Sequence, residues 1–172
     1  MQPKIHRGRQ DANGLRFAII ASRWNDFLTA KLVDGAIDAL ASSGAVETDV
    51  EIYKVPGAFE LPLTSLKAAE SGKFDAVIAI GVVIRGETPH FDYVAGEAAS
   101  GIMNAGIQAG IPVVFGVVTT DTVEQAINRS GLKSGNKGYE AAMAAIETVN
   151  LHRQMADKTP AKGDEKAFPH VV

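Results

Sequence analysis

The sequence predicts a single α/β domain, a three-layer sandwich in which a four-stranded parallel sheet lies between layers of helices. The first observation is length, because 172 residues suit one compact domain with a sizeable core. The second is alternation, because four short apolar runs are each followed by a segment with helical spacing. The third is that residues 75–84 and 111–118 are apolar at nearly every position, which is typical of parallel strands covered on both faces.

The first two strand–helix units lie in the amino-terminal half. Leu15–Ala21 predicts the first strand, and Phe27–Leu40 carries apolar residues at helical spacing up to a stop at Gly44. Asp49–Val55 alternates between apolar and polar residues, so we expect a second strand with one less buried face. The helix over residues 62–72 begins at a proline and ends near a glycine.

The remaining elements follow the same alternation. Residues 75–84 predict the third strand, and a helix rich in small residues follows from Val94 to Gln108. Residues 111–118 predict the fourth strand, which leads into a short helix over 123–127. A last helix is expected over 139–154, which completes the pattern.

The ends of the chain differ in composition from the predicted domain, which spans residues 15–155. Residues 1–14 are polar and lack strand periodicity, which indicates an arm. Residues 156–172 are charged and contain prolines, so we expect an unstructured tail.

The composition argues against several classes of function. A net charge of -3 leaves no basic excess for a nucleic-acid backbone or a membrane surface. The absence of cysteine excludes disulfides, thiolate catalysis and cysteine metal sites, and the four histidines lack paired ligand spacing. No apolar run approaches membrane-spanning length. We therefore expect a soluble cytoplasmic protein that binds no metal, nucleic acid or membrane.

The carboxyl edge of the sheet is where we expect chemistry, because the loops after the strands and the helix N-termini gather there. Four segments should meet at this edge although they are far apart in sequence: residues 22–25, 56–60, 85–90 and 119–122.

Three side chains in these loops each allow a structural and a functional interpretation. Trp24 could cap the core or offer a flat stacking surface for a planar ring. Glu60 could be a first-turn glutamate favoured by the helix dipole or an acceptor for ligand hydroxyls. His90 could be a surface histidine or a group that moves protons near neutral pH.

A second candidate cluster, Arg129–Gly138, contains three cations among three glycines. Such a segment could bind an anion through side chains and backbone N–H groups, or it could be a solvated connection between two helices. Its spacing does not match a P-loop, and no strand is followed by the glycine pattern of a dinucleotide site.

Six segments carry a more specific signal when they are taken together and in order. They are Ala21–Asn25, Val55–Pro62, Gly81–Val94, Phe115–Thr120, Glu124–Arg129 and Gly135–Gly138. This combination resembles the 6,7-dimethyl-8-ribityllumazine synthase family of riboflavin biosynthesis, with a match from about Leu15 to Met155. The resemblance implies a flavodoxin-like arrangement of the predicted sheet and helices.

The resemblance also implies a transferase that needs neither metal nor organic cofactor. Such an enzyme condenses 5-amino-6-(D-ribitylamino)uracil with 3,4-dihydroxy-2-butanone 4-phosphate and releases phosphate and water. A binding protein that holds flavin or lumazine without turnover, or a shell-forming protein of the same fold, is the alternative.

The site residues implied by the resemblance fall into three groups. For the ribitylaminouracil they are Trp24, Ala58, Phe59, Glu60, Val82, Val83, Ile84 and Phe115. For the butanone phosphate they are Glu87, Thr88 and Arg129, with Lys137 and Asn25 as auxiliary contacts. His90 matches the proton donor.

The resemblance further implies a site shared between chains, with Phe115, Arg129 and Lys137 supplied to the site of a neighbour. The family forms homopentamers, and twelve pentamers can close into an icosahedral 60-mer. Riboflavin synthase is a further partner that the resemblance implies. Two positions depart from the family pattern. Trp24 stands where many members have Phe, and Glu87 stands where Ala or Gly is frequent, so we expect backbone N–H groups to contact the phosphate there.

Overall fold

The computed structural model describes residues 1–156 and contains a four-stranded sheet in which every strand pair is parallel. The strands are β1 (Phe17–Ser22), β2 (Val50–Val55), β3 (Ala76–Ile84) and β4 (Val113–Thr120), in the order β2-β1-β3-β4. The helices are α1 (Asp26–Ser42), α2 (Leu61–Glu70), α3 (His90–Ala109), α4 (Val123–Arg129) and α5 (Lys137–Ala156). The predicted three-layer α/β sandwich with four parallel strands is confirmed.

Two hydrophobic cores lie on opposite faces of the sheet. Ile19 and Ile78 pack into the core formed with α1 and α5. Ile20 and Val77 pack into the core formed with α2 and α3. All four side chains are fully buried, and burial of each isoleucine contributes about 1.5–3 kcal/mol. Because successive side chains of a strand point to opposite faces, strands covered on both faces are apolar at nearly every position, as β1 is up to Ser22 and β3 is throughout.

The edge strands β2 and β4 are both more exposed than their sequences predict. The alternating pattern of β2 predicts one exposed face, but residues 51–54 are exposed on both faces, including Ile52 and Tyr53. The apolar sequence of β4 predicts full cover, yet its first residues are only partly buried and Phe115 is 42% exposed. The reason is position, because β4 has a strand neighbour on one side only. An apolar edge is therefore open along β4 in the single chain.

Helix α3 begins at His90, four residues earlier than the sequence predicts. Residues 90–93 are His, Phe, Asp and Tyr, none of which is a strong helix former, so propensity gives no signal there. Pro89 occupies the N-cap with φ -64, and Asp92 stands in the first turn, where the helix dipole favours an acidic side chain. His90 is consequently the first residue of a helix rather than a loop residue.

The amino-terminal segment contains no helix or strand and lies along α5. The Nδ2 of Asn150 donates to the carbonyl oxygens of Arg9 (3.0 Å) and Asp11 (2.8 Å). The Nε2 of Gln154 donates to the carbonyl oxygen of Arg7 (2.9 Å). The arm expected over residues 1–14 is thus held by side chains of α5, and the predicted tail lies outside the described residues from 157 onward. None of the helices within residues 1–156 combines the length and apolarity needed to cross a membrane.

Candidate active site

The loops after β1 and β2 are joined by backbone hydrogen bonds beyond the ends of the strands. The N–H of Arg23 donates to the carbonyl oxygen of Val55 (2.8 Å), and the N–H of Trp24 donates to that of Pro56 (3.1 Å). These bonds bring two segments that are about 30 residues apart in sequence into contact at the carboxyl edge, as open parallel sheets require. Trp24 is thereby placed over the turn that begins at Gly57.

Gly57 supports the indole ring of Trp24. A Cβ atom at position 57 would lie 2.6 Å from Cε3 of Trp24, which is closer than van der Waals contact allows. The backbone of Gly57 is extended (φ -143), so the requirement for glycine is steric rather than conformational. Trp24 is 61% exposed and therefore does not cap the core. Its accessible surface can receive a planar ring.

Glu60 has a structural role at the start of its turn, and its other carboxylate oxygen stays available. Its Oε2 accepts a hydrogen bond from the N–H of Gly57 (2.8 Å), which closes the turn beneath Trp24. Within residues 1–156, Oε1 accepts no hydrogen bond and remains able to accept one from a ligand. Ala58 in the same turn is buried, whereas Phe59 is 58% exposed. The carboxylate is therefore oriented by the fold beside an exposed aromatic surface.

The end of β3 has an open backbone edge on the side of β1. Pairing between β1 and β3 ends at Ile80, whereas pairing between β3 and β4 continues to Ile84. Peptide groups of successive strand residues point to alternate sides, and the N–H of Arg85 donates to Thr120 on the β4 side (2.8 Å). It follows that the peptide groups of Val82 and Ile84 point to the open side, while that of Val83 points to β4.

Asn25 closes part of this open edge. Its Nδ2 donates to the carbonyl oxygen of Val82 (2.9 Å), a group that a longer β1 would have bonded. Asn25 is the one non-glycine residue within 1–156 with a positive φ (55°), and its side chain does not cap α1. Asparagine tolerates this left-handed conformation better than most residues. The strained residue thus links the β1 loop to β3 and leaves Ile84 as the accessible strand end.

The loop between β3 and α3 exposes the remaining residues that the sequence places on this side. Glu87, Thr88 and His90 are all exposed. Helix α3 packs against the turn at residues 58–60. We call the group Trp24, Gly57, Glu60, Val82 and Ile84 the strand-end surface, and His90 is the first residue of the helix that follows β3.

Arg85 is a residue of this edge to which the sequence assigns no role. Its Nη1 and Nη2 donate to the two carboxylate oxygens of Asp92 (3.1 and 3.0 Å), and its Nε donates to Asp121 (2.9 Å). Its guanidinium carbon lies 4.1 Å from the centre of the Phe91 ring. The hydrogen bonds to Asp92 and then Asp121 raise the pKa of the Arg85 guanidinium. Its position directly after a buried strand is the only sequence signal, because Asp121 is 36 residues away.

A second region lies along the free side of β4. A cavity of about 970 Å³ is lined there by Phe115, Arg129, Lys133 and Lys137, together with threonine, serine, glutamine and asparagine side chains. Within residues 1–156, Lys137 forms an ion pair with Glu140, whereas Arg129 and Lys133 form none. We call this region the cationic cavity. None of the residues of the strand-end surface lines it, so one chain separates the two groups of predicted site residues.

No group of three or more histidine, aspartate or glutamate side chains within residues 1–156 is arranged to hold a metal ion. The arrangement offers an exposed aromatic surface, an oriented carboxylate, open strand-end peptide groups and a separate set of cations. These groups are suited to a planar polar ring and an anion, and His90 presents an exposed imidazole at the start of α3.

The family model for 6,7-dimethyl-8-ribityllumazine synthase matches residues 14–153. The chain belongs to the 6,7-dimethyl-8-ribityllumazine synthase family. A protein of that name from Syntrophus aciditrophicus is 56% identical over 153 residues, which cover 89% of this chain and 99% of the relative. The namesake from Desulfatibacillum aliphaticivorans is 57% identical over 152 residues (88% and 98%), and that from Chlorobium chlorochromatii is 57% identical over 148 residues (86% and 96%).

The match to the lumazine synthase family confirms the resemblance that the sequence motifs indicate. The matched range of residues 14–153 contains the whole strand-end surface, His90 and the cationic cavity, and it ends before the charged tail. Both regions therefore belong to the part of the chain that lumazine synthases share.

Proposed function

We propose that the protein condenses 5-amino-6-(D-ribitylamino)uracil with 3,4-dihydroxy-2-butanone 4-phosphate to give 6,7-dimethyl-8-ribityllumazine. The observation that carries this proposal is the family match over residues 14–153, supported by relatives of that name at 55–57% identity along nearly their whole length. The two regions of the chain also suit the two substrates, because one offers a flat aromatic surface and the other offers cations.

The strand-end surface receives the ribitylaminouracil in this proposal. Trp24 stacks on the pyrimidine ring, and the peptide groups of Ile84, at the accessible strand end, pair with its polar edge. Glu60 uses its available Oε1 to accept from a ribityl hydroxyl, beside the exposed ring of Phe59. The orientation of the carboxylate before binding lowers the cost of ordering it in the complex.

The cationic cavity receives the phosphate group in this proposal. Arg129 provides a planar fork that matches two phosphate oxygens, and Lys137 adds a second charge. Thr88 and the backbone N–H groups beside Glu87, in the loop between β3 and α3, contact the same phosphate group. Glu87 is exposed, so its carboxylate can turn away from the phosphate.

The chemistry consists of two condensations and one elimination. The 5-amino group attacks the ketone of the second substrate, and loss of water gives an imine. Loss of the proton at C3 and of phosphate from C4 then gives an enol, which tautomerises to a second ketone at C3. The ribityl-bearing nitrogen attacks this ketone, and a second water is lost as the ring closes. His90 moves protons during these steps, while the two surfaces hold the reacting atoms together.

The separation of the two regions in one chain supports a site that is completed by a neighbour. The Phe115, Arg129 and Lys137 of one chain would then face the strand-end surface of the next, with the open edge of β4 between them. We propose homopentamers that assemble further to a 60-mer, located in the cytoplasm in keeping with the cysteine-free composition. Light scattering of the purified protein measures the mass and separates pentamer from 60-mer.

The decisive experiment incubates the purified protein with both substrates and follows the absorbance of the lumazine chromophore together with phosphate release. We expect both signals in equal amounts, and neither signal when either substrate is omitted. Binding of the ribitylaminouracil without phosphate release would instead identify a binding protein and overturn the proposed reaction. Absence of both binding and turnover would overturn the substrate assignment as well.

A further inference from the structure

We propose that Arg85 is a positioning residue that fixes the first turn of α3, and with it His90, against the loop between β4 and α4. The catalytic consequence of this inference rests on the function proposed above, whereas the structural part does not. All three side-chain nitrogens of Arg85 donate to carboxylates of the chain, so we assign it an action through His90 rather than on a substrate.

The contacts of Arg85 reach α3 on one side. The paired hydrogen bonds to Asp92 fix the guanidinium plane, and the ring of Phe91 lies against that plane at 4.1 Å. Both residues directly follow His90 in the first turn of the helix. Within residues 1–156, the pair with Asp92 supplies the only side-chain hydrogen bonds between residues 86–93 and the rest of the chain.

The contacts of Arg85 reach a fixed point on the other side. Its Nε donates to Asp121, and its backbone N–H donates to the carbonyl oxygen of Thr120 (2.8 Å). The N–H of Asp121 donates to Oε1 of Gln125 (2.9 Å), and the N–H of Gln125 donates to the hydroxyl of Thr122 (3.2 Å), which caps α4. The loop that anchors Arg85 is therefore itself tied to α4.

A role in overall stability explains this arrangement less well. The side chain of Arg85 is 41% exposed and that of Asp121 is 68% exposed, and exposed ion pairs add little to the stability of a fold. The bidentate geometry and the stacked ring instead give directional control, which is the property that arginine provides and lysine does not. The segment that gains this control is an exposed loop followed by His90.

Kinetics can separate positioning of His90 from an effect on the phosphate site. If Arg85 acts through His90, we expect Arg85→Gln to lower kcat about 10-fold. The KM of the phosphate substrate should stay within about 2-fold of the wild-type value, because misplacement of a catalytic group impairs the reaction rather than binding. In a His90→Ala background the same substitution should change kcat by less than about 2-fold, since coupled residues are not additive.

Further variants test the individual contacts. Asp121→Ala removes the anchor alone and should lower kcat by about 3-fold. Arg85→Lys keeps the charge but cannot bond Asp92 in parallel and reach Asp121 at once, so its kcat should lie between those of the wild type and Arg85→Gln. The matched control is Arg153→Gln, because Arg153 forms a similarly exposed pair with Asp75 (2.9 Å) at the opposite edge of the sheet. The control should retain full kcat.

An activity-independent measurement accompanies the kinetics. Amide hydrogen exchange of peptides covering residues 86–95 should be faster in Arg85→Gln than in the wild type, and unchanged in Arg153→Gln. The inference would be overturned if Arg85→Gln left hydrogen exchange or kcat unaltered. It would also be overturned if the effects of Arg85→Gln and His90→Ala were additive, or if KM rose and kcat did not fall. A wild-type protein that forms no lumazine while the exchange difference persists would overturn the proposed function but not the positioning.

Discussion

The strand-end surface and the cationic cavity are built in different ways. The strand-end surface is joined by hydrogen bonds between three loops, and its polar groups are backbone atoms, an amide and one oriented carboxylate. The cations of the cavity stand at the end of α4, in the following loop and at the start of α5. Stacking on a planar ring depends on direction and distance, whereas the attraction between cations and a phosphate acts over a longer range. The first region therefore requires a fixed framework before binding, while the cations of the second, Arg129 foremost, can orient as the phosphate arrives.

His90 provides the test with the largest expected effect. We expect His90→Ala to lower kcat about 100-fold, the lower end of the usual contribution of general acid–base catalysis, without abolishing turnover. The KM of both substrates should stay close to the wild-type values, because the two binding regions are unchanged. Steady-state kinetics measure both parameters, and an unchanged kcat would remove the histidine from the mechanism.

Arg129 tests the cationic cavity. We expect Arg129→Ala to raise the KM of the phosphate substrate about 30-fold, since hydrogen bonds to charged groups contribute about 1.5–3 kcal/mol. The KM of the ribitylaminouracil should remain unchanged. Arg153→Ala, which removes an arginine far from the cavity, is the control. A KM that does not respond to Arg129→Ala would place the phosphate elsewhere.

Trp24 tests the strand-end surface, and its replacement should affect the KM of the other substrate. We expect Trp24→Ala to raise the KM of the ribitylaminouracil about 10-fold, because aromatic stacking contributes about 0.5–1.5 kcal/mol beyond the area that the ring buries. Trp24→Phe should restore most of the loss, since phenylalanine also stacks. The KM of the phosphate substrate should remain unchanged in both variants, and an equal rise for the two substrates would contradict the separation of the regions.

Gly57 gives the smallest effect and the sharpest test of the framework. A methyl group at position 57 would meet the indole of Trp24 at 2.6 Å, so Gly57→Ala should tilt the ring and raise the KM of the ribitylaminouracil about 3-fold. Gly96→Ala is the matched control, because a Cβ atom there meets nothing within 4 Å. Equal kinetics for the two variants would show that the ring position does not depend on Gly57.

Much of the fold follows from sequence patterns because its strongest signals are local. The continuous apolar runs of β1 and β3 predict strands covered on both faces, whereas the alternation of β2 predicts only one of its two exposed faces. The exposure of β4 is not predictable in this way, since an apolar strand at the edge of a sheet has the same composition as a strand in its middle. The sequence also does not predict that α3 starts at His90. Residues 90–93 have weak helix propensity, and the start of the helix is set by Pro89 at the N-cap and by tertiary packing.

For the site as well, the sequence predicts features that depend on local signals and does not predict contacts between distant segments. The motifs place Trp24, Glu60 and His90 at the carboxyl edge, because that edge is defined by strand direction alone. The support of the indole by Gly57 and the bond from Asn25 to Val82 join separate motifs, and no single motif contains both partners. The role of Arg85 is hidden for the same reason, since Asp121 follows a different strand.

The exposure of Trp24 has an optical consequence. It is the only tryptophan of the chain, so all indole emission of the protein arises at the strand-end surface. A ring that stacks there displaces water from that single fluorophore and changes its emission, while an anion in the cationic cavity leaves it in solvent. Fluorescence titration therefore reports the occupancy of one region, and turnover reports the cooperation of both.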